Sequence, residues 1–337
     1  MWQSTALKAL KETLELHRTD SQWALKKEEA VLYNRWFTPD TINQSLDAWV
    51  EVLDKQADEW LGRYSLPADF CQKTLGIIMA GNIPLVGLHD LICGVMTGFN
   101  IRIKASSDDS VLMKFVVEHW FHKLPEWKDK VVFSDDFKGL DAAIATGSNN
   151  SGRYFEYYFR NIPHVLRGHR NSLAVIGEST TDQEIQELGK DIFSYFGLGC
   201  RNVTHLLLPS GFDVIRIFKA WEPHSDIINH NKYANNYHYH RAILLMNLDK
   251  HLDNGFVLLK ETETLYSPVG MVGYQFYQSE SEIQDYLNAH ETEIQVAVGF
   301  GQKVNFGEAQ SPALWDYADN FDTLDWLLQH YQAASKS

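Results

Sequence analysis

The chain has 337 residues, 45% of them hydrophobic, and a formal net charge of −14. That length accommodates two folded domains, and the acidic balance without a basic cluster excludes nucleic acid or an anionic membrane surface as the main partner. Cys71, Cys93 and Cys200 share no C-x-x-C spacing, which favours free thiols and a reducing, cytoplasmic compartment.

In chain order, the N-terminus meets charged residues at once and does not read as a signal peptide. The longest apolar stretches, 77–80 and 83–96, are short or broken by Gly, Pro, Asn, His and Asp, so no membrane insertion is expected. Leu7, Leu10 and Leu14 mark a first helix. Thr38-Pro39 opens a longer one carrying Leu46, Trp49, Val50, Leu53, Trp60 and Leu61. These stripes read as core, and a second subunit could share them in a homodimer.

From Thr74 the pattern becomes strand–helix alternation. Strands are predicted at 75–80, 101–104, 131–133, 142–145 and 173–176, and helices at 85–97, from Asp108/Asp109 to about His122, and at 150–160. Short apolar strands separated by helices imply a largely parallel sheet covered on both faces, with ligands at the carboxyl ends of its strands. The turns there are Gly81-Asn82, Lys104-Ala105-Ser106-Ser107 and Thr146-Gly147-Ser148. The last runs through Gly152-Arg153 into a helix whose first amides suit a phosphate or pyrophosphate. Neither G-x-G-x-x-G after the first strand nor a P-loop is present.

The second half opens on a helix over 184–196, with Ile185, Leu188, Ile192 and Tyr195/Phe196 at helical period. Thr181 with Glu184 fits a capping box, and Gly197 suits the left-handed position after the last turn. A buried strand follows at 203–208, so Cys200 sits on a glycine-flanked turn between two buried elements. A thiol placed this way can act as a nucleophile toward acyl carbon; the plain alternative is an inert buried cysteine. Further strands are predicted at 242–246 and 256–259. His224, His230, His238 and His240 invite a metal reading, since His238 and His240 on a strand would share a face. No acidic or cysteine partner follows at ligand spacing, and no metal is expected.

In order, these pieces resemble the aldehyde dehydrogenase superfamily, and within it the acyl-CoA reductases related to the fatty-acid reductase of bacterial bioluminescence. Gly81-Asn82-Ile83-Pro84-Leu85 is similar to W-N-F-P-L, and Gly98-Phe99-Asn100-Ile101-Arg102-Ile103-Lys104 to G-N-x-V-V-x-K. Thr146-Gly147-Ser148 with Gly152-Arg153 resembles T-G-S-x-x-x-G-R. Phe196-Gly197-Leu198-Gly199-Cys200 resembles, loosely, the F-x-x-x-G-Q-x-C nucleophile segment. Leu265-Tyr266-Ser267-Pro268-Val269 is similar to the later F-G-P-V segment.

The resemblance implies an α/β, aldehyde dehydrogenase-like fold of two α/β domains with a cleft between them. The expected boundaries are 1–177 for N-terminal helices and a Rossmann-like cofactor domain, 178–310 for the catalytic thiol domain, and 311–337 for a segment packing back. It implies Cys200 as nucleophile toward an acyl-CoA or acyl-carrier thioester, and Asn82 as the oxyanion amide. It implies Gly81, Lys104, Ser106, Ser107, Thr146, Gly147, Ser148 and Gly152 around a nicotinamide cofactor. Leu166 falls where hydrolytic relatives carry a glutamate, which favours thioester chemistry over oxidation to a free acid. Ser107 falls where NAD-preferring relatives carry a glutamate, which favours NADPH over NADH. His169 is a candidate for proton transfer, against a structural role near a domain junction. The competing readings are an oxidative aldehyde dehydrogenase and a non-catalytic member that binds nucleotide or acyl groups for a partner enzyme.

Overall fold

A computed structural model describes residues 2–147 and 149–332. The chain forms two compact units, residues 1–169 with the stretch from Ala313 onward, and residues 170–312.

The first unit begins with α1 (Trp2–Glu15), α2 (Ser21–Tyr33) and α3 (Pro39–Gly62). Leu7, Leu10 and Leu14 are buried, and α3 starts at Pro39 behind a Thr38 cap. There follow β1 (Thr74–Ile78), α4 (Leu88–Met96), β2 (Asn100–Lys104), α5 (Ser110–His122), β3 (Val131–Phe133), β4 (Ala142–Thr146), α6 (Asn149–Phe159) and β5 (His164–Arg167). The five strands form a parallel sheet in the order β3-β2-β1-β4-β5. The order reverses direction at β1/β4, the point at which sheets of this kind leave a crevice outside their carboxyl ends. β1 and β4 are apolar on both faces because helices cover both.

The second unit contains β6 (Asn171–Val175), α7 (Asp182–Phe193), β7 (Val203–Pro209), α8 (Ile215–Trp221), α9 (Asn231–Met246), β8 (Leu252–Asp253), β9 (Leu258–Glu261), β10 (Met271–Tyr277), α10 (Glu280–Ala289) and β11 (Ile294–Gly299). Its sheet runs β11-β6-β7-β10-β9-β8, parallel except for the two-residue β8. The chain then returns to the first unit, where α11 (Thr323–Gln332) contributes Leu324 and Leu327 to the core around β1 and β2.

Three differences from the sequence expectation have physical causes. Residues 173–176, expected to close the first sheet, pair with β7 and β11 in the second. A short buried strand carries no mark of which sheet it will join. Residues 242–246, expected as a strand, are the last turn of α9, with Leu244 buried and Met246 exposed. An apolar run this short cannot be told from a helix end by its pattern. His238 and His240 therefore lie on α9, where neighbours two apart point to roughly opposite sides. Among the described residues no three of His, Cys, Asp and Glu are grouped as a metal site, and no helix is long and apolar enough to cross a membrane.

The capping box at Thr181 is formed. Its side chain accepts from Glu184 N–H, while the Glu184 carboxylate accepts from Thr181 N–H. Thr181→Ala is expected to cost about 1 kcal/mol, read as a lower denaturant midpoint at unchanged slope.

Candidate functional site

Each unit presents one group of the expected residues. In the first they line the carboxyl edge of the parallel sheet. Gly81 and Asn82 follow β1 on a loop that runs to the start of α4, longer than the tight turn expected. Three buried side chains fasten this loop: Asn34 Nδ2 donates to Gly81 C=O at 3.3 Å, Ser45 Oγ to Pro84 C=O at 2.8 Å, and Asp109 Oδ2 accepts from Leu85 N–H at 2.6 Å. Leu85 is left-handed, φ 58°, and needs that fixing because its side chain disfavours the region. A Cβ on Gly81 would sit 2.7 Å from the Ser106 side chain and 2.9 Å from Asp109 N, so only glycine lets these two loops close together. Asn82 is exposed.

Lys104 ends β2, and its ammonium lies 3.3 Å from the Asp135 carboxylate. Ser106 Oγ accepts from Asp108 N–H at 3.2 Å, while Ser107 is exposed on the same turn. Thr146 is the half-buried last residue of β4, and Gly147 N–H donates to Arg167 C=O at 3.3 Å. Gly152 lies on α6, and a Cβ there would meet nothing within 4 Å, so the space beside it is open. Ser148 falls outside the described residues. His169 is exposed on the connection after β5. Sequence reading missed Asp109 as anything but a cap. It is 3% exposed, and burial pushes its carboxyl well above the usual range.

In the second unit, Cys200 is half-buried while Cys71 and Cys93 are buried. The expected helix stops at Phe193, and Tyr195, Phe196 and Gly197 follow with φ of 51°, 59° and 77°. The left-handed position predicted for Gly197 is occupied, but two residues with side chains share it. Three groups hold them. Tyr195 is buried, the Phe196 ring stacks on His230 at 4.0 Å, and the Asn202 amide bonds the backbone around them. Asn202 Nδ2 donates to the carbonyls of Asp191, Ile192 and Ser194 at 3.0, 3.2 and 2.8 Å, and its Oδ1 accepts from Gly199 N–H at 2.7 Å.

Ser172 Oγ, from β6, donates to Cys200 C=O at 2.9 Å and accepts from Val296 N–H at 3.2 Å. Asp191, fully buried on the last turn of α7, accepts from Gly307 N–H at 2.7 Å and Ala309 N–H at 2.9 Å. Burial pushes its carboxyl up to about 6 against the opposing pull of those two bonds. Beside Phe196 and Gly197 lies a small cavity lined mainly by apolar side chains, with the Ser267 hydroxyl on its wall. That hydroxyl is buried and, among the described residues, has no hydrogen-bond partner. Asn202, Ser172 and Asp191 gave no signal in the sequence, because single polar residues declare neither burial nor partners.

No protein-family model matches the chain, and no curated protein matches it. Solved structures do. The NAD-dependent aldehyde dehydrogenase of Sinorhizobium meliloti superposes with a TM-score of 0.65 at 13% identity, covering 88% of this chain and 69% of that one. The aldehyde dehydrogenase of Bacillus cereus, solved with NAD+, gives 0.62 at 13% identity over 88% and 70%. Aldehyde dehydrogenase 21 of Physcomitrella patens, solved with succinate, gives 0.64 at 13% identity over 85% and 70%. The fold is that of the aldehyde dehydrogenases. At such identity the likeness concerns the aldehyde dehydrogenase fold alone.

The buried carboxyls of Asp191 and Asp109 act on stability in different ways. Asp191 binds its proton more tightly folded than unfolded, so its contribution to stability is greatest at low pH. It falls between about pH 4 and about pH 6, by up to about 3 kcal/mol, and is flat above. The stability of Asp191→Asn measured against the unsubstituted chain should therefore rise across that window and then level off. Asp109→Ala leaves Leu85 N–H buried without its acceptor and is expected to cost about 1–3 kcal/mol in chemical unfolding.

Proposed function

We propose that the chain is an acyl-CoA reductase, converting an acyl thioester to an aldehyde with NADPH through a thioester on Cys200. The observation that carries the proposal is the half-buried Cys200 on a turn whose backbone is fixed from two sides. The order of family-like segments around it and the aldehyde dehydrogenase fold support the same reading.

The Cys200 sulfur, as thiolate, bonds to the acyl carbon while the carrier's C–S bond breaks and the carrier leaves as a thiolate, which takes up a proton. The acyl group then rests on Cys200. Once the carbonyl carbon has been reduced, the Cys200 sulfur departs as thiolate and the aldehyde is released. Asn82 is assigned the amide that donates to the carbonyl oxygen when it carries charge. Leu166, half-buried among Phe137, Leu140 and Phe159, has no group to activate water, which favours a thiol carrier over hydrolysis. His169 is retained as a proton-transfer candidate, exposed and within reach of solvent.

The first unit fits a nicotinamide dinucleotide by its donor chemistry. The loops after β1, β2 and β4 end a parallel sheet at its switch point, and α6 opens beside open space at Gly152. Gly81, Ser106, Thr146, Gly147, Ser148 and Gly152 would hold it, with Lys104 and Ser107 at the ribose. When bound, such a cofactor supplies the hydride. Ser107 carries no charge to repel a 2′-phosphate, hence NADPH.

Mixing the protein with acyl-CoA thioesters of increasing chain length and following nicotinamide absorbance tests the proposal. An acyl adduct by intact mass, absent from Cys200→Ala, is expected; ligand binding without an adduct would favour the non-catalytic reading. Aldehyde oxidised equally well with and without coenzyme A would favour the hydrolytic one. Initial rates should be higher with NADPH than with NADH, and the reverse order removes the role given to Ser107.

A further inference from the structure

We infer that Asn202 and Ser172 are positioning residues that fix both peptide planes flanking Cys200, and with them the direction of its thiol; the catalytic consequence rests on the role proposed for Cys200. Asn202 N–H donates to Gly199 C=O at 3.1 Å. That carbonyl belongs to the Gly199–Cys200 peptide, and in a planar trans peptide the N–H points opposite to the C=O. Cys200 N–H is thereby turned away from Asn202. On the other side, Cys200 C=O accepts from Ser172 Oγ, which sets the Cys200–Arg201 peptide plane. With a plane fixed on each side of its Cα, Cys200 has both backbone torsions determined, and its Cα–Cβ bond has one direction.

The cost of the arrangement appears just upstream. Tyr195 and Phe196 are left-handed, a region that residues with side chains disfavour. The Asn202 side chain offsets this by bonding four backbone groups from a site 1% exposed. Ser172 is fully buried, and its hydroxyl both donates and accepts, so it cannot rotate without breaking one of its two bonds. A turn that merely joined a helix to a strand would need neither strain nor a saturated clamp. A nucleophile that must meet a carbonyl carbon along one line needs both.

The test uses Ser172→Ala, Asn202→Asp and the unsubstituted chain. Asn202→Asp keeps the backbone N–H for Gly199 C=O and Oδ1 for Gly199 N–H, but sets a carboxylate oxygen against three carbonyls and so displaces the residue whose N–H fixes the Gly199–Cys200 plane. Two rates are read by peptide mass: alkylation of Cys200 by iodoacetamide across pH, and acyl transfer to Cys200 from an acyl-CoA. Both substitutions should slow acyl transfer by about 100-fold at an unchanged KM, with alkylation changing its rate and pH midpoint. Alkylation and acyl transfer both within about twofold of the unsubstituted chain would overturn the inference. If the unsubstituted chain forms no acyl adduct while alkylation still responds to the substitutions, the reductase reading fails and the clamp stands. Hydrogen exchange on the unsubstituted chain covers variants that do not fold. Gly199 and Val296 amides should be protected far beyond loop amides, and loop-like exchange at both rejects the clamp.

Discussion

One buried carboxamide holds the end of α7 to the start of β7. Asn202 bonds three carbonyls that the helix end leaves without intrahelical donors, and a fourth bond reaches forward to Gly199. Without it, two residues with side chains would have little reason to remain left-handed, and the chain would leave α7 in another direction. The position of Cys200 is thus a consequence of how a helix end is satisfied. Asp191 adds a second tie from the same turn, drawing in the backbone at Gly307 and Ala309.

The first unit solves a similar problem with different groups. Its switch-point loop is fastened by Asn34, Ser45 and Asp109, each reaching a backbone atom of the loop. Farther along the sheet, Arg167 of β5 meets Asp90 of α4 through two bonds of 2.7 and 3.1 Å. Two further donors reach Ala318 C=O and Thr323 Oγ1, so the chain's C-terminal return is anchored to the sheet. The guanidinium is buried, and the opposed carboxylate with two further acceptors compensates the loss of water.

The parallel sheet of the first unit was legible because its central strands β1 and β4 are apolar on both faces and its helices begin and end with recognisable punctuation. The helix start at Thr38-Pro39, the capping pair at Thr181 and the left-handed glycine after α7 are read from residue type alone, and each is formed. What escaped was tertiary. Residues 173–176 look like a strand in any sheet, and only pairing with β7 and β11 decides which. The histidines of α9 looked strand-like because a tyrosine separates them, whereas a helix capped at His230 carries them. The place of Cys200 on a turn between α7 and β7 was legible through its glycines. The groups that hold it were not, since burial and partnership arise only once distant strands are side by side.

The antiparallel β8 closes one flank of the second sheet with only two residues, Leu252 and Asp253. The Asp253 carboxylate there is already engaged by Arg241 and the Tyr237 hydroxyl. Any foreign strand approaching that flank finds almost no ladder to extend and a charge already committed. The sheet's growth is stopped from within the chain, which guards that border against edge-to-edge aggregation.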